Sequence, residues 1–125
     1  MSEPETKAMV KFVKAHNFKT YIAYHSSGEI LYWKYKQNTT QLAQHQPLVT
    51  QIQQMTGYRP DNTTGVVNGS GAGQDWFVAT TGKPGITIEI APYAGNQPVP
   101  NSQWSSIWKK NKYVGLLVAK EAAAR

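Results

Sequence analysis

The chain has 125 residues, enough for one domain built around one core. It contains no cysteine, which excludes disulfides and thiolate metal sites, and no apolar run long enough to span a bilayer. Eleven lysines and two arginines against seven acids leave a net charge of +6, a balance better suited to loose contact with anionic polymers than to bidentate phosphate recognition.

Pro4 to His16 reads as a first helix. Pro4 suits the first turn, Glu5 complements the positive end of the dipole, and Asn17 ends it. Met9, Val10, Phe12 and Val13 form its apolar face, and Lys7, Lys11 and Lys14 its wet face. Phe18 to Tyr24 alternates as a strand, with Lys19, Tyr21 and Ala23 on one face and His25 continuing that face. Ser26, Ser27 and Gly28 turn the chain, and Ile30 to Tyr35 returns as an aromatic-rich strand, so the spacing predicts a hairpin. The rings of Tyr32, Trp33 and Tyr35 are expected to pack.

Thr40 to Met55 reads as a helix with Leu42, Val49, Ile52 and Met55 as burial candidates. Pro47 should break it, leaving a well-formed part from Pro47 onward, and Gly57 supplies a left-handed cap. Residues 59–73 are rich in Gly, Asn, Asp, Thr and Ser and read as loop; no Gly-Lys-Ser/Thr follows, so it is not a phosphate-binding loop. Asp75 to Thr81 reads as a short helix capped by Gln74 or Asp75. Ser102 to Ala124 reads as one long helix, with Trp104, Ile107, Trp108, Asn111, Val114, Leu117 and Val118 at helical spacing and the two tryptophans expected in the core. Lys109, Lys110 and Lys112 read as a solvated face. Residues 121–125 are a strongly helical tail.

Between these lies the strand around which the chain is organised. Ile86, Ile88 and Ile90 alternate with Thr87, Glu89 and Ala91, bounded by Gly85 and Pro92. The isoleucines turn into a core and Glu89 points from the opposite face. The bare pattern leaves two readings open: a strand-end glutamate facing water or a lysine, or a carboxylate that is paired, metal-bound or used in catalysis. The alternation of helices and strands predicts an α/β layer structure, a small mixed sheet covered by helices.

The His25-Ser26 strand end and the later Thr87-Ile88-Glu89 strand together resemble the zinc carboxypeptidase superfamily. The run from Gly69 through Ser70, Gly71, Ala72 and Gly73 to Asp75 and Trp76 is similar to that family's Ser-Gly-Gly-x-x-Asp-Trp segment. Ser2 to Thr6 is similar to its helix entry. Asn96 to Pro100, followed by Trp104, Ile107 and Trp108, resembles the bacterial γ-D-glutamyl-diamino-acid endopeptidases of peptidoglycan. The resemblance runs over nearly the whole chain.

That resemblance implies roles. His25 matches the last zinc ligand and Glu89 the general base. Ser26, Ser27, Gln74 and Asp75 match substrate-binding positions, Gln74 lining the specificity pocket, where a polar residue suits a diamino acid. The family's mobile tyrosine falls on about Val67. His16, His25 and His45 are the chain's histidines and none is followed three residues later by Glu, so the His-x-x-Glu ligands are expected upstream, in a missing N-terminal half. The chain then reads as a single partial catalytic domain, residues 1–125. It would resemble the C-terminal half of the zinc carboxypeptidase fold, with zinc in the complete domain and none tightly bound to this chain alone. The expected partners are a cell-wall peptide, the missing half and a second copy in a homodimer, without a membrane. The family points to an extracellular, cell-wall or spore compartment, although Met1 to Glu5 does not read as a signal peptide. A truncated, non-catalytic module binding wall peptide or protein is the alternative. Nucleic acid is disfavoured because no helix concentrates arginine and no strand carries an RNA-binding aromatic motif.

Overall fold

The computed structural model describes residues 3–62 and 70–125. Val67 lies outside them. The described residues form five α-helices and four strands, in the order α1 Pro4–Lys14, β1 Tyr21–Ser26, β2 Ile30–Tyr32, α2 Thr39–Thr56, β3 Arg59–Pro60, α3 Gly73–Thr81, β4 Gly85–Ile90, α4 Trp104–Asn111 and α5 Val114–Ala124. The architecture is the expected small α/β fold with a mixed sheet.

The sheet order is β1-β4-β2-β3. The predicted hairpin between the first two strands is therefore not formed. β4 enters between them, parallel to β1 and antiparallel to β2, and its three isoleucines are the reason. A strand that apolar is most stable at the centre, with a neighbour on each side. β3, inside the predicted loop, pairs parallel with β2 at the far edge.

Register fixes the faces. Tyr21, Ala23 and His25 stand opposite Gly85, Thr87 and Glu89, and Tyr32 and Ile30 stand opposite Thr87 and Glu89. Partners directly opposite share a face. Ile86, Ile88 and Leu31 point the other way and are fully buried with Val49, Ile52 and Val114, with Val118 beside them, so α2 and α5 cover that face. α3 covers part of the first face: Phe77 stacks on Tyr21 with centroids 5.6 Å apart, and Val78 meets Gly85.

Several helix expectations change. α2 runs unbroken through Pro47. Pro47 and Ala43 both face solvent, so water can satisfy the carbonyl that loses its partner. The helix also starts earlier than Pro47, because Asn38 and Gln41 form a reciprocal capping box. Gly57 caps its end at φ 75°. The expected long C-terminal helix is two, separated at Lys112 and Tyr113. There the Asn111 amide donates to the Ile107 carbonyl and to the Tyr58 hydroxyl, competing with the helical pattern. α3 is capped by neither Gln74 nor Asp75; Ala72 is its N-cap, without a side-chain bond. In α1 only Val13 is buried, while Met9 and Phe12 are exposed, Phe12 packing with His16 and Phe18. Met55 is also exposed.

Of the three strand aromatics, Trp33 is buried, Tyr35 partly so, and Tyr32 exposed. The tail continues α5. Arg125 donates to the Glu121 carboxylate, the Lys19 carbonyl and the Thr20 hydroxyl, and Lys19 donates back to the Ala122 carbonyl.

Candidate functional site

Strand alternation brings His25 and Glu89 together. They are register partners at the carboxyl ends of parallel strands, and Nδ1 of His25 lies 4.0 Å from Oε1 of Glu89. The imidazole side chain is 60% exposed and the carboxylate 17%. Oε2 of Glu89 is buried and, among the described residues, has no hydrogen-bond partner. One oxygen thus faces the histidine, and the other is held out of water with its acceptor capacity unused.

The turn after β1 is fixed from behind. Ser27 Oγ accepts from the Ala94 N–H, and the Gly28 N–H donates to the Ala91 carbonyl. Glu29, at φ 52°, forms an ion pair with Lys110 of α4, which also lies over the Tyr58 ring. The ends of β1 and β4, and with them His25 and Glu89, are tied to α4.

The other predicted site residues are placed apart. Ser26 is the partner of Ile90 and alternates onto the face opposite His25. Gln74 is 3% exposed and packs against Gly85, at the opposite end of β4 from Glu89. Those positions are four apart in the chain, about 13 Å along the strand, on one face. The Gln74 amide nitrogen has no hydrogen-bond partner among the described residues. Asp75 accepts from the Ser70 hydroxyl and borders a cavity of about 750 Å³ between α1 and α3, lined by Met9, Val10, Tyr21 and Trp76 among others.

His45, to which no role is assigned above, is 3% exposed in α2. Its Nε2 donates to the Gly82 carbonyl at 3.0 Å, so Nδ1 is the acceptor, 3.4 Å from the Gln37 amide. Gln37 also donates to the Trp33 carbonyl and accepts from the Tyr35 N–H. Burial pushes the His45 pKa down. Its position three residues after Leu42 and four before Val49, on the buried stripe, is the signal that could have found it.

The model of the family described as zinc carboxypeptidase matches residues 1–114. The chain belongs to that family. It is 26% identical over 110 residues to gamma-D-glutamyl-L-diamino acid endopeptidase 1 of Lysinibacillus sphaericus, a match covering 88% of this chain and 26% of that protein. It is also 26% identical over 108 residues to the uncharacterized protein YqgT of Bacillus subtilis, covering 86% and 27% respectively. The chain thus spans about a quarter of the length of these curated relatives.

The family name carries zinc, and a zinc site takes three protein ligands as a rule. Among the described residues, no three of His, Cys, Asp and Glu converge to hold a metal ion. His25 is one donor, and the described residues do not by themselves fit a complete site.

Proposed function

We propose that this chain supplies part of the active site of a peptidase that hydrolyses γ-D-glutamyl bonds to a diamino acid in bacterial cell-wall peptides. The observation that carries the reading is the His25–Glu89 pair with its buried, unpartnered carboxylate oxygen. Membership of a peptidase family and the name of the Lysinibacillus relative support it.

In this reading Glu89 is the proton acceptor. Its carboxylate takes a proton from the attacking water as the oxygen–carbon bond forms, and returns it to the nitrogen when the amide bond breaks. Partial enclosure keeps the carboxylate from being fully solvated, and the attachment of both strand ends to α4 holds it in place. His25 offers one imidazole toward the metal that the family name implies. Further donors come from polypeptide outside this sequence, which is the partner we propose for this chain. Asp75, at the border of the cavity between α1 and α3, contacts the peptide beyond the cleaved bond, and the buried Gln74 supports the strand end beneath it. Wall peptide lies outside the membrane, so an extracellular, wall or spore location goes with the reading.

The test is turnover of a γ-D-glutamyl-diamino-acid peptide by the complete domain, carrying either Glu89 or Glu89→Gln. Removing a proton acceptor should lower the rate about 10²–10⁴-fold without unfolding the protein. An unchanged rate takes Glu89 out of the mechanism. Peptide binding with no turnover in the parent domain replaces the reading with a non-catalytic binding module.

A further inference from the structure

The two indoles of α4 do not enter the core: Trp104 and Trp108 are 61% and 54% exposed and stack on each other, while Ile107 turns inward. The space that can enclose a ligand lies elsewhere. It is the cavity of about 750 Å³ between α1 and α3, with Tyr21 of β1 in its wall. Small-molecule sites commonly occupy about 300–1,000 Å³. This chain supplies both sides, Met9, Val10 and Val13 from α1 and Trp76 and Ala79 from α3. The first turn of α3 closes onto the sheet there, since a Cβ on Gly73 would stand 2.6 Å from the Tyr21 hydroxyl.

The charged part of the lining has one sign. Glu3, Glu5 and Asp75 are three of the chain's seven acids, and among the described residues no lysine or arginine joins them. The chain as a whole carries +6, so this concentration of carboxylates runs against its general field. Helix ends account for part of it. Glu5 and Asp75 sit in the first turns of α1 and α3, where an acid complements the dipole. Two such ends contribute only about +0.5 each, so three carboxylates leave the cavity negative. Gln74, expected at the specificity pocket, is turned to Gly85 instead and brings no charge.

We propose that this cavity is the subsite for the side chain of the diamino acid, its aliphatic stem between Val10 and Trp76 and its ammonium facing Glu5 and Asp75. The inference rests on the wall-peptide reading above and adds the group that is recognised and the residues that recognise it. A basic side chain differs from a neutral one by a cation at the end of a run of methylenes. Apolar walls cover the methylenes, and carboxylates accept charge-assisted hydrogen bonds from the cation. Tyr21 and His25 are four apart on one face of β1, about 13 Å, so the cavity lies along the face that carries the candidate site. A further polypeptide segment fits less well, because the volume matches fewer than about two turns of helix.

The experiment uses this chain alone, without metal or turnover. Methionine methyl signals are followed by NMR during titration with Nα-acetyl-L-lysine and with Nα-acetyl-L-norleucine, which lacks the ammonium. Met9 lines the cavity, and Met55, exposed on α2, is outside it. The lysine compound should shift Met9 saturably and leave Met55 in place. The norleucine compound should bind about tenfold more weakly or not at all. Glu5→Gln combined with Asp75→Asn should weaken binding of the lysine compound to a similar degree. The comparison of the two compounds is made on the wild type, so it stands even if the double variant misfolds. No Met9 shift, an equal response to both compounds, or unchanged affinity in a folded double variant overturns the proposal. The complete domain supplies the last arm. Turnover there with a Met9 that no longer responds would show the cavity filled by the further polypeptide, which overturns this inference and leaves the peptidase reading intact. A responsive Met9 in a complete domain without turnover would keep the subsite and remove the peptidase.

Discussion

The Cα positions of His25 and Glu89 are paired across β1 and β4, yet only one of the two side chains is open to water. This asymmetry has an energetic consequence. A buried carboxylate oxygen with no donor has lost hydration without compensation. Among the described residues no donor offsets that cost. Glu89→Gln should therefore stabilise the isolated chain by about 1 kcal/mol while lowering activity in the complete domain. Urea unfolding at pH 8 measures the first effect; a less stable Gln variant would show that the carboxylate is satisfied.

Gly85 is where α3 meets β4. A Cβ there would stand 2.9 Å from Cγ2 of Val78 and 3.1 Å from the Gln74 carbonyl oxygen. The carbonyl belongs to a helix backbone and cannot swing aside. Gly85→Ala should cost about 1–3 kcal/mol, as overpacking generally does. Urea midpoints of the two chains provide the comparison, and an unchanged midpoint would mean that α3 can shift without penalty.

His45 should make stability depend on pH. Burial holds its folded pKa below the ordinary 6.5; the Gly82 carbonyl and Glu121 oppose the shift and Arg125 adds to it. The unfolded chain then binds the proton more readily. Stability is complete above about pH 6.5 and falls as pH drops from there toward the folded value. His45→Gln should remove this component of the slope between about pH 5 and 7. Denaturant midpoints across that range test it, and an identical slope in the variant would assign the dependence elsewhere.

Self-association of the chain is expected through the outer edge of β1. β2 lies between β4 and β3, whereas β1, among the described residues, has a neighbour on one side only. The Tyr21 N–H donates to the Pro84 carbonyl, toward β4, so alternation turns the N–H groups of Ile22 and Tyr24 outward. Two copies can pair along that edge about a two-fold axis. Sedimentation velocity should show a concentration-dependent dimer, weakened in Tyr24→Lys, where an edge charge opposes pairing. A monomer throughout would show that β1 is protected as it stands.

What was legible in the sequence was local. Alternation of Ile86, Ile88 and Ile90 located β4 and its buried face, and the same rule placed His25 on the face of Tyr21 and Ala23. Membership of the family was legible too, through short motifs in the right order. Strand neighbours were not, because pairing is decided between distant segments: nothing near Ser27 announces that β4 will separate β1 from β2. Pro47 misled because the rule against internal proline assumes that the lost carbonyl partner matters, and here that side is wet. Trp104 and Trp108 misled because helical periodicity identifies a stripe without saying how much of it is covered. Placement of Gln74 and Asp75 at the other end of the sheet face depended on where α3 crosses β4, which no local pattern encodes.

The insertion of β4 also governs how the molecule is made. Tyr21 pairs with Gly85, sixty-four positions later, so β1 leaves the ribosome well before its partner exists. At about 5–20 residues per second that is a wait of roughly 3–13 s. β2 waits as well, since its pairing with β4 depends on the same late strand. Two apolar strands are thus exposed together during synthesis, and the sheet closes in one late, long-range event. Folding should be slow for a chain of this size, and a nascent chain halted ahead of Gly85 would have nothing to join its first two strands.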